Sequence, residues 1–372
     1  MPNLTEASTV TPHFIRDPHP PPGASPACVF TVDVSETWCV GSVAHGGYLL
    51  CILTDAVLQH QRLAHSKHLD PAHLTSQFFS ATVPGKTQVE IKVVSESKRW
   101  TRLDVDLFQW SPDPNTTAFT AAGTDRILRI RTHFLVSELP PHPEAGTLNY
   151  LARPCPLLSH PGAVGMADGG DEVPAKLRFH AGMRWKVVDC IQPNDGTLAW
   201  GAWIEMKGGE QVDQLATLIP FFADVAKNGP ELLPEDQRPG PAWYPTMSLS
   251  LDFKSKFPLS GPYATRTVGL YSTTKSIHDG RHDLTVEVWA APAELGAGKP
   301  TAADRDEGDD GVAAWRRKGA RLIGVSTQMA LAVPLEVNRS RGRKQLPGES
   351  DASSASEDDT AAAAKDGKKA RL

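Results

Sequence analysis

Cysteine is scarce in this sequence, and the few cysteines follow no recognisable pattern. There are five among 372 residues, an odd number with no CxxC pair. An odd count argues against a disulfide framework, and the lack of clustered cysteine and histidine argues against a zinc site. We therefore expect free thiols in a reducing compartment, and neither a metal nor another cofactor.

Long apolar runs and a strong excess of charge of one sign are also missing. No stretch approaches the roughly 20 apolar residues that a membrane helix needs, and the N-terminus lacks the apolar core of a secretory signal. The net charge is −5, so the chain has no overall basic surface for nucleic acid. These absences predict a protein with no membrane span, no signal peptide and no nucleic-acid partner.

Proline, glycine and charged residues divide the chain into blocks. We predict a flexible lead-in over residues 1–27, a linker over 139–175, a surface insertion near 292–312 and a disordered tail over 337–372. Two candidate folded domains lie between them, at residues 28–138 and 176–336.

The two blocks show the same order of patterns. Each has short strand-like runs, then one apolar helix, then strands in which apolar and polar residues alternate, as in a sheet with one buried face. The helices are predicted at 47–63 and 213–227; Pro220 either kinks the second helix or delays its start. A β-helix-β-β-β-β unit repeated after 169 residues places Asp55 of the first helix at the position of Asp224 in the second.

Short motifs follow this repeat in order. The first block contains Trp38 and then Gly41-Ser42-Val43-Ala44-His45-Gly46-Gly47-Tyr48. The second contains Trp200-Gly201-Ala202-Trp203, Phe222-Ala223-Asp224, Ser248-Leu249-Ser250-Leu251-Asp252-Phe253 and Val325-Ser326-Thr327-Gln328. Through these motifs the chain resembles the TesB-like, or type II, acyl-CoA thioesterases, and in particular their fungal-type relatives. The resemblance implies an α+β double hotdog, in which two tandem units each wrap a long helix in an antiparallel β-sheet.

The resemblance also implies a catalytic set. The family uses an Asp from the second helix, a Thr or Ser on the following strand and a Gln on the last strand, which here fall on Asp224, Ser250 and Gln328. It implies hydrolysis of acyl-CoA to a free acid and CoA by an activated water, without a covalent nucleophile. A carboxylate can act as general base, and a hydroxyl and an amide can orient the water.

Two glycines open the first predicted helix. Gly46 and Gly47 permit close approach of a ligand to the N–H groups at a helix N-terminus, which carry partial positive charge. We assign Gly46, Gly47 and the preceding His45 as candidate substrate-binding residues. The alternatives are tight helix packing for the glycines and a helix cap for His45. Asp55 marks either a second site or a degenerate duplicate of Asp224.

Two other functions fit the same fold. One is another hotdog enzyme, such as a hydratase or a tailoring enzyme of secondary metabolism, although the Asp, Asn-Pro and His loop of hotdog hydratases is not found. The other is an acyl-CoA-binding protein without catalysis. The sequence leaves acyl chain length open, and it leaves open whether the chain forms a homo-oligomer.

The C-terminus carries a separate signal. The chain ends in Ala370-Arg371-Leu372, a variant of the Ser-Lys-Leu peroxisomal address, preceded by basic residues in a tail expected to be accessible. We predict binding of this tripeptide to the peroxisomal import receptor and a peroxisomal location, with the cytoplasm as the alternative.

Overall fold

A computed structural model describes residues 2–15, 28–110, 126–140, 150–165 and 177–338. Most of the predicted linker and tail, including the C-terminal tripeptide, lies outside these ranges. The helices in the described ranges are α1 (Leu4–Ser8), α2 (Gly46–Leu63), α3 (Ile219–Asp224), α4 (Gly229–Leu232) and α5 (Ala302–Arg305). The first strands are β1 (Thr11–Ile15), β2 (Cys28–Val34), β3 (Cys39–Val40), β4 (Val43–Ala44), β5 (Asp70–Phe78), β6 (Gly85–Glu96), β7 (Trp100–Trp110) and β8 (Arg126–Ser137). The later strands are β9 (Met183–Val187), β10 (Leu198–Met206), β11 (Ala242–Trp243), β12 (Thr246–Phe253), β13 (Thr267–Thr274), β14 (Ile277–His278), β15 (Arg281–Ala290), β16 (Arg321–Leu331) and β17 (Val333–Pro334).

One antiparallel sheet runs through the described part of the molecule. Its strand order is β1-β2-β6-β7-β8-β5-β12-β16-β15-β13-β10-β9, with β14 added to β15. The two halves of this order mirror each other about the β5–β12 pair, so β5 corresponds to β12, β8 to β16 and β2 to β10. A pseudo-twofold axis therefore passes between β5 and β12, which confirms the predicted tandem repeat.

The helix α2 lies against the inner face of the sheet and is apolar almost all round. Residues on every side of it are fully buried, among them Leu50, Ile52, Leu53 and Val57, each with 0% exposure. A surface helix would keep a polar stripe, whereas a helix enclosed on all sides buries its whole circumference. One apolar cluster joins α2 to both halves of the sheet, so the two units share a core.

The second helix is shorter than predicted. Instead of a helix over 213–227, a 3₁₀ turn at Ala216–Leu218 leads into α3, which ends at Asp224. Pro220 lies in the first turn of α3, where its missing N–H has no helical partner to lose. Of the two alternatives for Pro220, a delayed helix start is therefore the one observed.

Part of the predicted flexible lead-in is ordered. Leu4 and Val10 are buried, and the N–H of Val10 donates to Asp55 Oδ2 at 2.9 Å. Burial of these apolar side chains against α2 stabilises the start of the lead-in. The prolines that follow it in the sequence had led us to expect a flexible segment.

The last described residue, Asn338, fixes the hairpin that precedes α2. It is fully buried, although it falls within the predicted tail. Its Nδ2 donates to the Val40 carbonyl at 3.0 Å, and its own carbonyl accepts from Ser42 Oγ at 3.0 Å. The β3–β4 hairpin, and with it the entry into α2, is thus held by the end of the second unit.

Candidate active site

Asp224 ends α3 and points at the N-terminus of α2. Its Oδ2 accepts the N–H of Gly47 at 2.6 Å, and its Oδ1 accepts Thr246 Oγ1 at 3.0 Å. The first N–H groups of a helix have no partner within the helix and carry partial positive charge, so a carboxylate is stabilised there. The carboxyl is nevertheless buried, with 5% of the side chain exposed.

Gly47 is required by the packing of the two helices. A Cβ at this position would lie 2.7 Å from the Pro220 carbonyl oxygen and 2.8 Å from Asp224 Cβ. No larger residue fits unless α3 moves. The close approach also brings the Gly47 N–H to Asp224, so this N–H is engaged by the protein itself. Helix packing, the alternative interpretation of this glycine, is therefore observed.

Gly46 lies directly beside the Asp224 carboxyl. A Cβ on Gly46 would lie 2.8 Å from Asp224 Oδ2 and 3.4 Å from the ring of Phe78. A side chain at this position would therefore press against the carboxylate oxygen. The assignment of Gly46 and Gly47 to substrate binding stays a prediction.

His45 is the residue before α2, and its ring lies next to Asp224. Its Nδ1 is 3.7 Å from Asp224 Oδ2, and the side chain makes no capping hydrogen bond to the helix. The ring packs against Phe179 and Phe221, with centroids 5.4 and 5.2 Å away. His45 is thus the N-cap residue of α2 by position, and its carbonyl accepts the Leu49 N–H at 3.1 Å, but its side chain does not cap the helix.

Burial sets the charge of both groups. It raises the pKa of Asp224 from 3.8 to about 7, against the opposing effect of the hydrogen bonds from Gly47 and Thr246. Burial also lowers the pKa of His45 from 6.5 to about 4, although Asp224 acts in the opposite direction. Near pH 7 the histidine is neutral and the carboxyl gains and loses a proton easily, as a general base must.

Gln328 lies next to the end of α3, and its side chain contacts the backbone of that helix. The Nε2 of Gln328 donates to the Ala223 carbonyl at 2.6 Å, and Ser326 Oγ donates to the same carbonyl at 2.9 Å. Carbonyls in the last turn of a helix have no partner within the helix, and these two side chains supply one. Gln328 therefore fixes the residue before Asp224; its predicted role in holding the water stays a prediction.

Ser250 does not join this group, which corrects the predicted convergence of the three side chains. It pairs with Thr327 across the sheet, whereas Gln328 pairs with Leu249. Side chains alternate between the two faces of a strand, so Ser250 and Gln328 lie on opposite faces. Ser250 Oγ lies 3.3 Å from Thr75 Oγ1 on the outer face.

Thr246 supplies the hydroxyl that was expected from Ser250. Thr246, Ser248 and Ser250 alternate in sequence, so a regular strand would place all three on one face. The register of β12 shifts between Thr246 and Ser248, and this irregularity turns Thr246 towards Asp224. The hydroxyl pattern alone contains no signal for that shift.

The pseudo-twofold axis identifies the counterpart of the site around Asp55. Taking the paired residues Thr75 and Ser250 as symmetry mates places Pro71 at the position of Thr246 and Phe134 at that of Gln328. Asp55 therefore lacks the strand threonine and the strand glutamine that accompany Asp224. This supports the interpretation of Asp55 as a degenerate duplicate.

Asp55 is held by the protein itself. Its Oδ2 accepts from the Val10 N–H at 2.9 Å and from Gln59 Nε2 at 2.8 Å. A polar cavity of about 170 Å³ lies beside it, and its lining includes Thr9, Arg62 and Gln214. The N-terminal segment thus supplies one of the two donors that hold the Asp55 carboxyl.

All five cysteines are buried and free. No group of three or more His, Cys, Asp or Glu side chains in the described ranges is arranged to hold a metal ion. No helix of the described chain has the length and apolar character needed to cross a bilayer.

Comparison with protein families identifies the chain. Residues 34–124 match the acyl-CoA thioesterase N-terminal domain, and residues 155–295 match the acyl-CoA thioesterase C-terminal domain. Together the two matches span more than half of the sequence. The chain belongs to the acyl-CoA thioesterase family and is a thioester hydrolase.

Solved structures share the fold. A putative thioesterase II from Thermobifida fusca has 18% identity and a TM-score of 0.58, over 89% of this chain and 97% of that chain. A hot dog protein of unknown function from Alicyclobacillus acidocaldarius has 12% identity and a TM-score of 0.53, over 89% and 97%. The acyl-CoA thioesterase II TesB2 from Mycobacterium marinum has 9% identity and a TM-score of 0.53, over 82% and 93%. The α+β double hotdog and the resemblance to the TesB-like family are confirmed. Comparison with curated proteins gave no match.

Proposed function

We propose that the protein hydrolyses acyl-CoA to a free carboxylic acid and CoA, with Asp224 as the general base that activates a water. One observation carries this proposal. A buried carboxyl with a pKa of about 7 lies at the N-terminus of α2, directly beside Gly46. A base whose pKa is near the working pH removes a proton most effectively.

The chemistry balances without a covalent intermediate on the protein. The water oxygen attacks the thioester carbonyl carbon and its proton passes to the Asp224 carboxylate. The tetrahedral intermediate then breaks its C–S bond, and the CoA sulfur leaves and takes up the proton held by Asp224. The products are the carboxylic acid and CoA, and Asp224 returns to its starting state.

Two side chains set the position of the base in this proposal. Thr246 fixes Oδ1 by its hydrogen bond, and Gln328 fixes the Ala223 carbonyl one residue earlier. Neither needs to touch the substrate, so we assign both as positioning residues. A carboxylate held from two sides approaches the water in one geometry, which lowers the entropic part of the barrier.

The experiment is thiol release from a panel of acyl-CoA esters of increasing chain length. We expect the wild-type protein to release CoA, and Asp224→Asn to lose about 100-fold or more of kcat, the order expected for removal of a general base. The matched control is Asp55→Asn, the same change at the pseudo-symmetric position, which should keep its activity.

Three results would contradict the proposal. They are no thiol release at any chain length, full activity of Asp224→Asn, or equal losses in the two variants. Tight acyl-CoA binding without turnover would instead support the alternative of a non-catalytic binding protein.

We further propose that the enzyme acts on fatty acyl-CoA in peroxisomes. The C-terminal tripeptide Ala370-Arg371-Leu372, which lies outside the described residues, supports this location. A fluorescent protein fused to the N-terminus should co-localise with a peroxisomal marker, and removal of Leu372 should abolish that localisation. Unchanged localisation after the removal would contradict it. The formation of a homo-oligomer stays a prediction.

A further inference from the structure

We propose that His45 is a second catalytic residue, whose Nδ1 holds the attacking water together with Asp224 Oδ2. This inference rests on the proposed hydrolysis and names a group that the family resemblance did not supply. The two atoms are 3.7 Å apart, too far for a good direct hydrogen bond. A single water that contacts both atoms at about 2.8 Å fits this separation.

The nitrogen needs such a partner. His45 Nδ1 is buried and has no hydrogen-bond partner within the described residues. A buried polar atom without a partner costs free energy, and an ordered water commonly satisfies it. The neighbouring atom that such a water would also meet is Asp224 Oδ2.

The surroundings keep the ring in place. The His45 N–H donates to the Trp38 carbonyl at 2.9 Å, and its carbonyl accepts the Leu49 N–H at 3.1 Å. The imidazole is enclosed by Phe179 and Phe221. The ring therefore has little freedom to turn away from Asp224.

The neutral ring suits an acceptor role. With its hydrogen on Nε2, the imidazole presents the Nδ1 lone pair to the water. The water then donates one O–H to Asp224 and the other to His45, which leaves its oxygen lone pairs free for the thioester carbon. During the attack the proton goes to Asp224 and later to the CoA sulfur. His45 holds the same number of protons throughout.

The first test compares two variants of His45. His45→Phe keeps a ring of similar size but removes both nitrogens, and we expect kcat to fall 10- to 100-fold, as expected for a misplaced reactant. The KM for acyl-CoA should change by less than about threefold, since orientation of the water acts on the chemical step. His45→Asn restores a polar atom near the position of Nδ1. Its kcat should be at least about tenfold higher than that of His45→Phe.

The outcomes separate this inference from the proposed function. If Asp224→Asn is inactive and His45→Phe is fully active, hydrolysis stands and the role of His45 is wrong. A loss in His45→Phe that appears only in KM, or that His45→Asn does not reverse, also contradicts it. His133→Phe, the same change at an exposed position of β8, is the control and should keep wild-type kcat.

A second test does not depend on turnover. Nitrogen-15 NMR of the full-length protein reports which imidazole nitrogen of His45 carries the hydrogen. We expect Nε2 protonated and Nδ1 unprotonated between about pH 6 and 8, with the Nδ1 resonance shifted by Asp224→Asn. A hydrogen on Nδ1 would mean a direct bond to Asp224 and would overturn the inference.

Discussion

Two opposing effects act on the pKa of the Asp224 carboxyl. Removal from water disfavours its charged form, whereas the Gly47 N–H and the Thr246 hydroxyl favour it. The result is a carboxyl that ionises near neutrality instead of near pH 4. The ionisation of this one residue therefore enters both the proposed catalysis and the stability of the fold.

The rate should rise as Asp224 loses its proton. We expect log(kcat/KM) to increase with pH and to level off above about 7, because only the ionised carboxyl accepts a proton from water. The nearby titratable groups do not reverse this trend. His45 is already neutral above about pH 4, and burial raises the pKa of the Cys51 thiol, which stays protonated. A flat profile between pH 5.5 and 8 would show that another group is the base.

Replacement of the same residue should stabilise the fold at alkaline pH. A raised pKa gives a stability contribution that is full below 3.8 and is lost as pH rises to about 7, because the buried carboxyl must then ionise. Asp224→Asn removes this loss. We expect its Tm advantage over wild type to grow from pH 5 to pH 8, measured by thermal unfolding. A constant difference over this range would contradict the prediction.

His45 contributes with the opposite sign, so the comparison must be made between variants. Its lowered pKa gives stability that is present above pH 6.5 and is lost as pH falls to about 4. The two contributions oppose each other between these values in the wild-type protein. Subtracting the wild-type curve from that of Asp224→Asn isolates the carboxyl.

At the scale of elements, the site depends on how closely α2 and α3 approach. The backbone of α3 passes directly over Gly47, and the gap between them is too narrow for a methyl group. The same contact brings Asp224 to the helix N-terminus. The same helix packing therefore sets the position of the proposed general base.

Gly47→Ala should disturb both stability and activity. The new methyl would meet backbone and Cβ atoms that cannot rotate away, and we expect a loss of about 1–3 kcal/mol in unfolding free energy. The Gly47 N–H to Asp224 bond would lengthen, and kcat should fall with it. Gly182→Ala is the control, since nothing lies within 4 Å of its Cβ position. Equal effects of the two changes in denaturant unfolding would contradict the argument.

Sequence predicted the elements better than the contacts between them. The apolar run at 47–63 agrees with α2 (Gly46–Leu63) because most residues of that helix are buried. The pattern at 213–227 overestimated α3, because the apolar residues of the preceding 3₁₀ turn continue the helical spacing. Asp224 was found through the repeat and the resemblance, whereas Thr246 depends on a register shift that only the pairing reveals.

At the scale of the whole molecule, the two units form one continuous sheet. The β5–β12 pair crosses the pseudo-twofold axis and places Leu74 opposite Leu251, both fully buried. On the outer face, His73 Nδ1 lies 2.7 Å from Asp252 Oδ1 across the same pair. A shared core and a shared sheet predict that the units unfold together.

Leu251→Ala tests this coupling. We expect a loss of roughly 2–5 kcal/mol from the buried side chain and a single unfolding transition in urea. The neighbouring Ser250→Ala, on the half-exposed outer face, should change stability by less than about 0.5 kcal/mol. If Leu251→Ala instead splits the curve into two transitions, the units are independent.

The asymmetry between Asp224 and Asp55 has an evolutionary consequence. A duplicated gene whose second copy of a site no longer turns over substrate is released from selection on chemistry, though not from selection on folding. Substitutions at Pro71 and Phe134 should therefore be tolerated wherever volume is conserved, while Thr246 and Gln328 should tolerate few. Saturation mutagenesis of these four positions would measure this difference in the number of tolerated substitutions.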